Sequence, residues 1–197
     1  LGRRSNQEGE LSREAILKEA ILLFREKGYR ATSLENVADK LGVTRPSIYY
    51  YYKTKGDILL NAHLKAVDAI FRSSEEIIDR PISDKDKFIK LIENHITVVA
   101  KNAALIGIFY QEEKELPKGS RIGELLEKRN RYTDVLVSIY MGGINEGVFR
   151  DTNPKLAVLT ILGACNWVYK WYREDGELSP EALAKIMVKT LSAGYLK

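Results

Sequence analysis

An all-α fold follows from three features of the sequence. Apolar residues recur at three- and four-residue spacings along most of the chain, the period of a helix buried on one side. Glycine and proline fall mostly between those stretches, where breaks belong. The β-branched pairs Ile77-Ile78 and Val98-Val99, which taken alone suggest strands, each sit inside a helical pattern. With 197 residues, the chain is long enough to bury a substantial core.

The first helix is expected to start after Ser12, which can cap it, and to run to about Lys27 before Gly28 stops it. Ile16, Ala20, Leu23 and Phe24 share its apolar face. Thr32 is expected to open a second helix, with Glu35 as its partner in a capping box. Val37, Ala38 and Leu41 supply its apolar side, and Gly42 ends it. Thr44 opens a short third helix that tolerates Pro46 in its first turn and is anchored by Ile48. Thr54 opens a long fourth helix reaching about Ile78, with Asp57 at its favourable N-terminal end.

After a break at Pro81, helices are expected at 84–101, 103–116, 119–149, 154–174 and 179–195. Residues 1–55 then form an N-terminal three-helix bundle and 56–197 a larger C-terminal helical domain.

Composition removes several function classes. No apolar run reaches the ~18–20 residues a bilayer requires, so no membrane partner is expected. The opening LGRRSNQEGE lacks the apolar stretch of a signal peptide, and a cytoplasmic location is expected. A single cysteine, Cys165, excludes an intrachain disulfide. With only His63 and His95 beside it, the chain offers no zinc-type ligand set, and neither metal nor resident cofactor is expected.

The net charge of +4 is concentrated near the N-terminus. Residues 1–60 hold eleven Lys and Arg against eight Asp and Glu, leaving twenty against nineteen for 61–197. Arg30, Lys40, Arg45, Lys53 and Lys55 lie between Gly28 and Gly56, with five of the eleven tyrosines. Such a segment suits a polyanion, because cations neutralise phosphates and phenols donate hydrogen bonds to them. It also fits a plain solvated surface.

The turn Leu41-Gly42-Val43 joins two short helices into a helix-turn-helix, where glycine supplies a positive φ and Ala38 permits close approach. The second of these helices exposes Thr44, Arg45, Ser47 and Tyr50 while Ile48 points inward. A helix of that kind can enter a major groove and present Arg45 to guanine. An ordinary tight helical corner would carry the same pattern.

The residues themselves decide between these. The stretch TSLENVADKLGVTRPSIYYYYKTKGDILL closely resembles the DNA-binding signature of TetR/AcrR transcriptional regulators. Thr32, Val37-Ala38, Gly42-Val43, Ser47-Ile48-Tyr49 and Lys55 hold the signature places, and the match runs without a gap over about 12–60. Pro46 stands where the family often has glycine, and Tyr52 where phenylalanine is usual. The resemblance implies phosphate contacts from Ser33, Tyr49, Tyr51 and Lys55, and base-edge contacts from Arg45, Pro46, Ser47 and Tyr50. Thr44, at the start of the recognition helix, joins this set. Tyr52 is expected to face the core. The resemblance further implies a homodimer whose two recognition helices meet a palindromic double-stranded operator about one turn, ~34 Å, apart.

The helix predicted from Pro154 is apolar nearly all round, and such helices are covered on both sides. In TetR-type proteins the last two long helices pair with their copies; simple closure of the monomer core would also cover them. Ile106, Phe109, Tyr110, Tyr132, Leu136, Ile139 and Tyr140 are expected to face inward. These are either plain core or, with Asn166, Trp167 and Trp171, the lining of an apolar pocket. The run GACNWVYKWYREDGELSP also resembles the C-terminal region of TetR-type repressors that sense acyl-coenzyme A thioesters, such as regulators of fatty-acid and sterol breakdown. That similarity implies an acyl-CoA effector, with the acyl chain among the inner aromatics and the phosphates near Lys170 or Arg173. A different hydrophobic effector, as in efflux regulation, and a ligand-independent DNA-binding protein remain alternatives. An enzyme built on Cys165 is not expected, since that residue lies mid-helix with no positive neighbour to lower its pKa.

Overall fold

The computed structural model describes residues 4–112, 114, 116 and 120–196. Its helices are α1 (Arg4–Lys27), α2 (Leu34–Leu41), α3 (Arg45–Tyr51), α4 (Lys55–Ile78), α5 (Asp84–Lys101), α6 (Ala103–Gln111), α7 (Ser120–Asn145), α8 (Pro154–Asn166), α9 (Val168–Trp171) and α10 (Pro180–Tyr195). The β-pairing among the described residues is a single bridge between Phe149 and Leu196. The chain forms two compact units, Leu1–Lys65 with Ala104–Ile122, and Ala66–Ala103 with Gly123–Lys197. The division falls inside α4, after Lys65, and Ile58, Leu59 and Leu60 before it are fully buried.

In the first unit, Ile16, Ala20, Leu23 and Phe24 of α1 are buried as the periodicity predicts. The helix itself begins earlier than expected, so Ser12 lies within it and does not cap it. No proline interrupts residues 4–12, and Gln and Glu there are good helix formers. The cap of α2 is also displaced by one residue. Ser33 holds that position, its Oγ accepting from the Asn36 N–H while the Asn36 side chain accepts from the Ser33 N–H. Thr32 is instead buried, its hydroxyl donating to the carbonyls of Gly28 (2.8 Å) and Leu23 (3.3 Å). Gly42, at φ 66°, ends α2, with its N–H on the Asp39 carbonyl and the Val43 N–H on that of Ala38.

In the second unit, α5 places Phe88, Leu91, Ile92, His95, Ile96, Val99 and Ala100 on one buried stripe and lies against α8, α9 and α10. Phe88, Tyr140, Phe149 and Tyr195 form an aromatic cluster, with Phe88 5.4 Å from each of the other three ring centres. Three predicted helices end early. The 103–116 element stops at Gln111, and 119–149 stops at Asn145, where the chain turns through Gly147 at φ 74°. The 154–174 element breaks at Trp167 into α8 and α9. At that break the side chain of Asn166 bonds to His95.

Two adjacent glycines of α7 separate packing from propensity. A Cβ on Gly143 would run into the ring of Phe149, which the buried cluster holds in place. A Cβ on Gly142 would meet the Asp84 carboxyl, the movable end of a side chain. Gly143→Ala is therefore expected to destabilise the fold by about 1–3 kcal/mol. Gly142→Ala should be neutral or stabilising by up to about 1 kcal/mol, alanine being the better helix former. Urea unfolding of the two variants checks the contrast.

Candidate nucleic-acid interface and effector region

The third helix buries only Ile48; Arg45, Pro46, Ser47, Tyr49 and Tyr50 are exposed, as is the cap Thr44. Tyr50 stands out at 76% exposure. Seven residues cannot hold a helix alone, so neighbours must position this one. Ile48 enters the core, and Tyr52, 4% exposed as expected, closes the helix with its N–H on the Ile48 carbonyl. Thr44 caps the start, its Oγ1 2.9 Å from the Ser47 hydroxyl. The Tyr49 hydroxyl donates to the Glu35 carboxylate at 2.9 Å, which ties α3 to α2. Held first by its own backbone N–H, then by Ser33 and Tyr49, Glu35 sits below the usual carboxylate range, while its bond pushes the Tyr49 phenol up. The Lys53 ammonium donates to the Tyr49 carbonyl at 3.0 Å, and the Arg13 guanidinium lies 5.7 Å from the Tyr51 ring centre.

Lys55, the first residue of α4, turns back onto the α1–α2 connection. Its Nζ donates to the carbonyls of Tyr29 (2.8 Å), Arg30 (3.1 Å) and Thr32 (3.0 Å) and lies 4.5 Å from the Tyr29 ring centre. An ammonium has three N–H groups, and three carbonyls take them.

The predicted effector residues divide between the units. In the first, Ile106 and Phe109 are buried, Phe109 stacked 3.7 Å from the His63 ring centre, and Tyr110 is half-buried. In the second, Leu136, Ile139 and Tyr140 are buried, Tyr140 within the aromatic cluster. Tyr132 stacks on His95 at 5.6 Å, meets Phe71 edge-on at 5.7 Å and reaches the Leu91 carbonyl at 3.4 Å. Asn166 Oδ1 lies 3.0 Å from His95 Nε2. Trp167 and Trp171 depart from the expected pocket lining, whereas Lys170 and Arg173 are expected only near the effector's phosphates. The two tryptophans are 56% and 49% exposed, both lysine and arginine are exposed, and Arg173 pairs with Asp175 at 3.0 Å. Trp167 stands between α8 and α9, and Trp171 ends α9.

Residues 16–62 match the family model described as bacterial regulatory proteins, tetR family, and residues 81–195 that of the tetracyclin repressor-like C-terminal domain. The chain belongs to the TetR family. It is 25% identical to the transcriptional repressor KstR2 of Rhodococcus jostii over 88% of this chain and 85% of that protein. It is 26% identical to the fatty acid metabolism regulator protein of Bacillus subtilis, over 91% and 93%. A TetR/AcrR regulator from Thermobifida fusca superposes with a TM-score of 0.78 at 33% identity, over 94% of this chain and 99% of that one. AibR in complex with isovaleryl coenzyme A and operator DNA superposes with a TM-score of 0.74 at 23% identity, over 90% and 96%.

TetR proteins are DNA-binding regulators and not enzymes, and Cys165 agrees: it is fully buried, and burial pushes its thiol up to about 12. Among the described residues no helix is long and apolar enough to cross a membrane. On the TetR reading head, the Lys55 ammonium is bonded to three protein carbonyls, which gives it a structural role beside the phosphate contact that the resemblance implies. Glu35, as a tie between α2 and α3, and His95, inside the second unit, were not legible as site residues; their partners lie 14 and 71 positions away.

Two outcomes follow. Lys55→Met should lower stability by about 1–3 kcal/mol by removing one donor from three carbonyls, of which that of Tyr29 keeps the Thr32 N–H. A variant that melts like the wild type but loses affinity for all duplexes alike would point to the phosphate contact instead. Burial, partly opposed by the Asn166 bond, pulls His95 down to about 4. Between that value and the unfolded ~6.5 the unfolded chain binds more protons, so stability falls as pH drops through this window, by up to about 3 kcal/mol. Urea midpoints at pH 7 and pH 4.5 measure it, with His95→Gln expected to flatten the slope.

Proposed function

We propose that this TetR-family protein is a homodimeric repressor that binds a palindromic operator in the cytoplasm and is released by an acyl-CoA. The observation that carries the DNA half is α3, a polar helix held on the helix-turn-helix with only Ile48 buried. In this reading Arg45 takes guanine O6 and N7, Ser47 a base edge, and Pro46 and Tyr50 a thymine methyl. Thr44, Tyr51 and the hydroxyls of Ser33 and Tyr49 face the phosphates. The dimer reading is supported by large apolar side chains exposed toward the C-terminus: Leu156 and Leu159 on α8, Ile186 on α10, and Trp167 and Trp171. These two tryptophans suit that surface better than a pocket wall.

The effector reading is supported by the relatives named above for fatty-acid metabolism and by AibR with its bound thioester. An acyl-CoA that prefers a different spacing of the two α3 helices weakens operator binding by linkage. Helix α4 is the natural lever, since it begins at Lys55 and continues to Ile78.

The test starts from duplexes selected out of a random library. Arg45→Ala should lower affinity for the selected site by about 1–3 kcal/mol while affinity for random duplex changes little. Unaltered discrimination would remove Arg45 from base reading. Isovaleryl-CoA and decanoyl-CoA, titrated into the complex and followed by fluorescence anisotropy, should release the DNA. A complex that resists both would end the acyl-CoA assignment and leave the DNA reading intact.

A further inference from the structure

The second unit contains a buried polar group that DNA binding does not use. His95 is 5% exposed, on the inner face of α5. Its Nε2 meets Oδ1 of Asn166, and an amide oxygen only accepts, so Nε2 carries the proton of the neutral ring. That leaves Nδ1 with a lone pair. Nδ1 is buried, and among the described residues nothing bonds to it. Nearby hydroxyls do not serve it: Ser74, 1% exposed, directs its own to the Ile70 carbonyl at 2.6 Å, and Tyr132 directs its own to Leu91.

A buried acceptor without a donor costs about 1–3 kcal/mol, so its retention calls for an explanation. The ring is set in apolar and aromatic surroundings, stacked by Tyr132 with Phe71 behind it. Arg129 is the charged group whose field reaches the imidazole. A cationic donor would meet that field and a desolvation penalty together, so the donor that fits is neutral.

We propose that His95 Nδ1 is the polar anchor of the effector site, accepting a hydrogen bond from a neutral O–H or N–H of the bound acyl-CoA. The donor is either a hydroxyl on the acyl chain or an amide N–H of the pantetheine arm. This assignment rests on the acyl-CoA reading above. Asn166 acts through His95 as a positioning residue, fixing the tautomer that leaves Nδ1 as acceptor.

The experiment titrates decanoyl-CoA, 3-hydroxydecanoyl-CoA and free 3-hydroxydecanoate into the full chain. Affinity is measured on wild type, His95→Gln and His95→Asn, and the Nδ1 nitrogen resonance of His95 on wild type alone. Glutamine places its amide near Nε2, keeping the Asn166 bond and deleting the acceptor. Asparagine places its amide near Nδ1 and keeps an acceptor there.

The Nδ1 resonance should shift on saturation, His95→Gln should bind about tenfold more weakly, and His95→Asn should recover most of that loss. A loss confined to the hydroxylated probes assigns the donor to the acyl hydroxyl. An equal loss for both thioesters, with no response to the free acid, assigns it to pantetheine. Thioester binding that leaves Nδ1 unmoved overturns this inference and spares the acyl-CoA reading. Failure of both thioesters to bind overturns both. The resonance needs no variant, so a misfolded substitution does not blunt the test.

Discussion

The Lys55 ammonium is the interaction on which the reading head depends most. Residues 29–32 join α1 to α2, and their carbonyls have no helix of their own to accept for. One side chain from the start of α4 satisfies three of them and fixes the path of the connection. Thr32 supports the same turn from within, its hydroxyl on the Gly28 and Leu23 carbonyls. The orientation of α2 follows from that turn, and α3 follows from α2 through Gly42 and the Tyr49–Glu35 bond. A seven-residue helix placed in this way takes its geometry from its supports rather than from its own stability.

The readability of the sequence tracks how local each determinant is. Gly42, Thr44, Pro46, Ile48 and the Thr54–Asp57 pair act within a few residues, and the helix-turn-helix could be read from them almost residue by residue. The cap of α2 slipped by one because Thr32 and Ser33 both carry hydroxyls. Only the fold reveals that the β-branched one is buried, its hydroxyl bonded to carbonyls, and that Asn36 rather than Glu35 completes the box. The break at Trp167 carries no glycine or proline, and nothing in the local sequence marks it. The partners of Lys55 stand 23 to 26 residues back along the chain, so its hold on the α1–α2 connection has no local signal in the sequence.

The aromatic residues illustrate the same rule on the effector side. Spacing correctly placed Phe109, Tyr132 and Tyr140 in buried positions, but spacing cannot separate a ring that lines a space from one that fills it. Tyr140 fills: it is bound edge-on to Phe88 and stacked on Phe149 at 4.9 Å, a cluster so close that Gly143 is required beside it. Tyr132 differs, because its partner His95 retains an unsatisfied nitrogen. The distinction rests on one polar atom, and no hydrophobic pattern encodes it.

The placement of Glu35 bears on how the head would read DNA. A carboxylate among groups that face phosphates opposes non-specific attraction, since it lies where a polyanion approaches. Its carboxylate also accepts from the Tyr49 hydroxyl, so a phosphate oxygen must compete there with an anion already bonded. Exchanging one charge-assisted bond for another gains little net energy. Lys55, held on the α1–α2 carbonyls, would then offer a phosphate a weaker direct hydrogen bond while keeping its charge. Discrimination then falls more heavily on the exposed face of α3, on Arg45 and its neighbours, than the net charge of the segment implies.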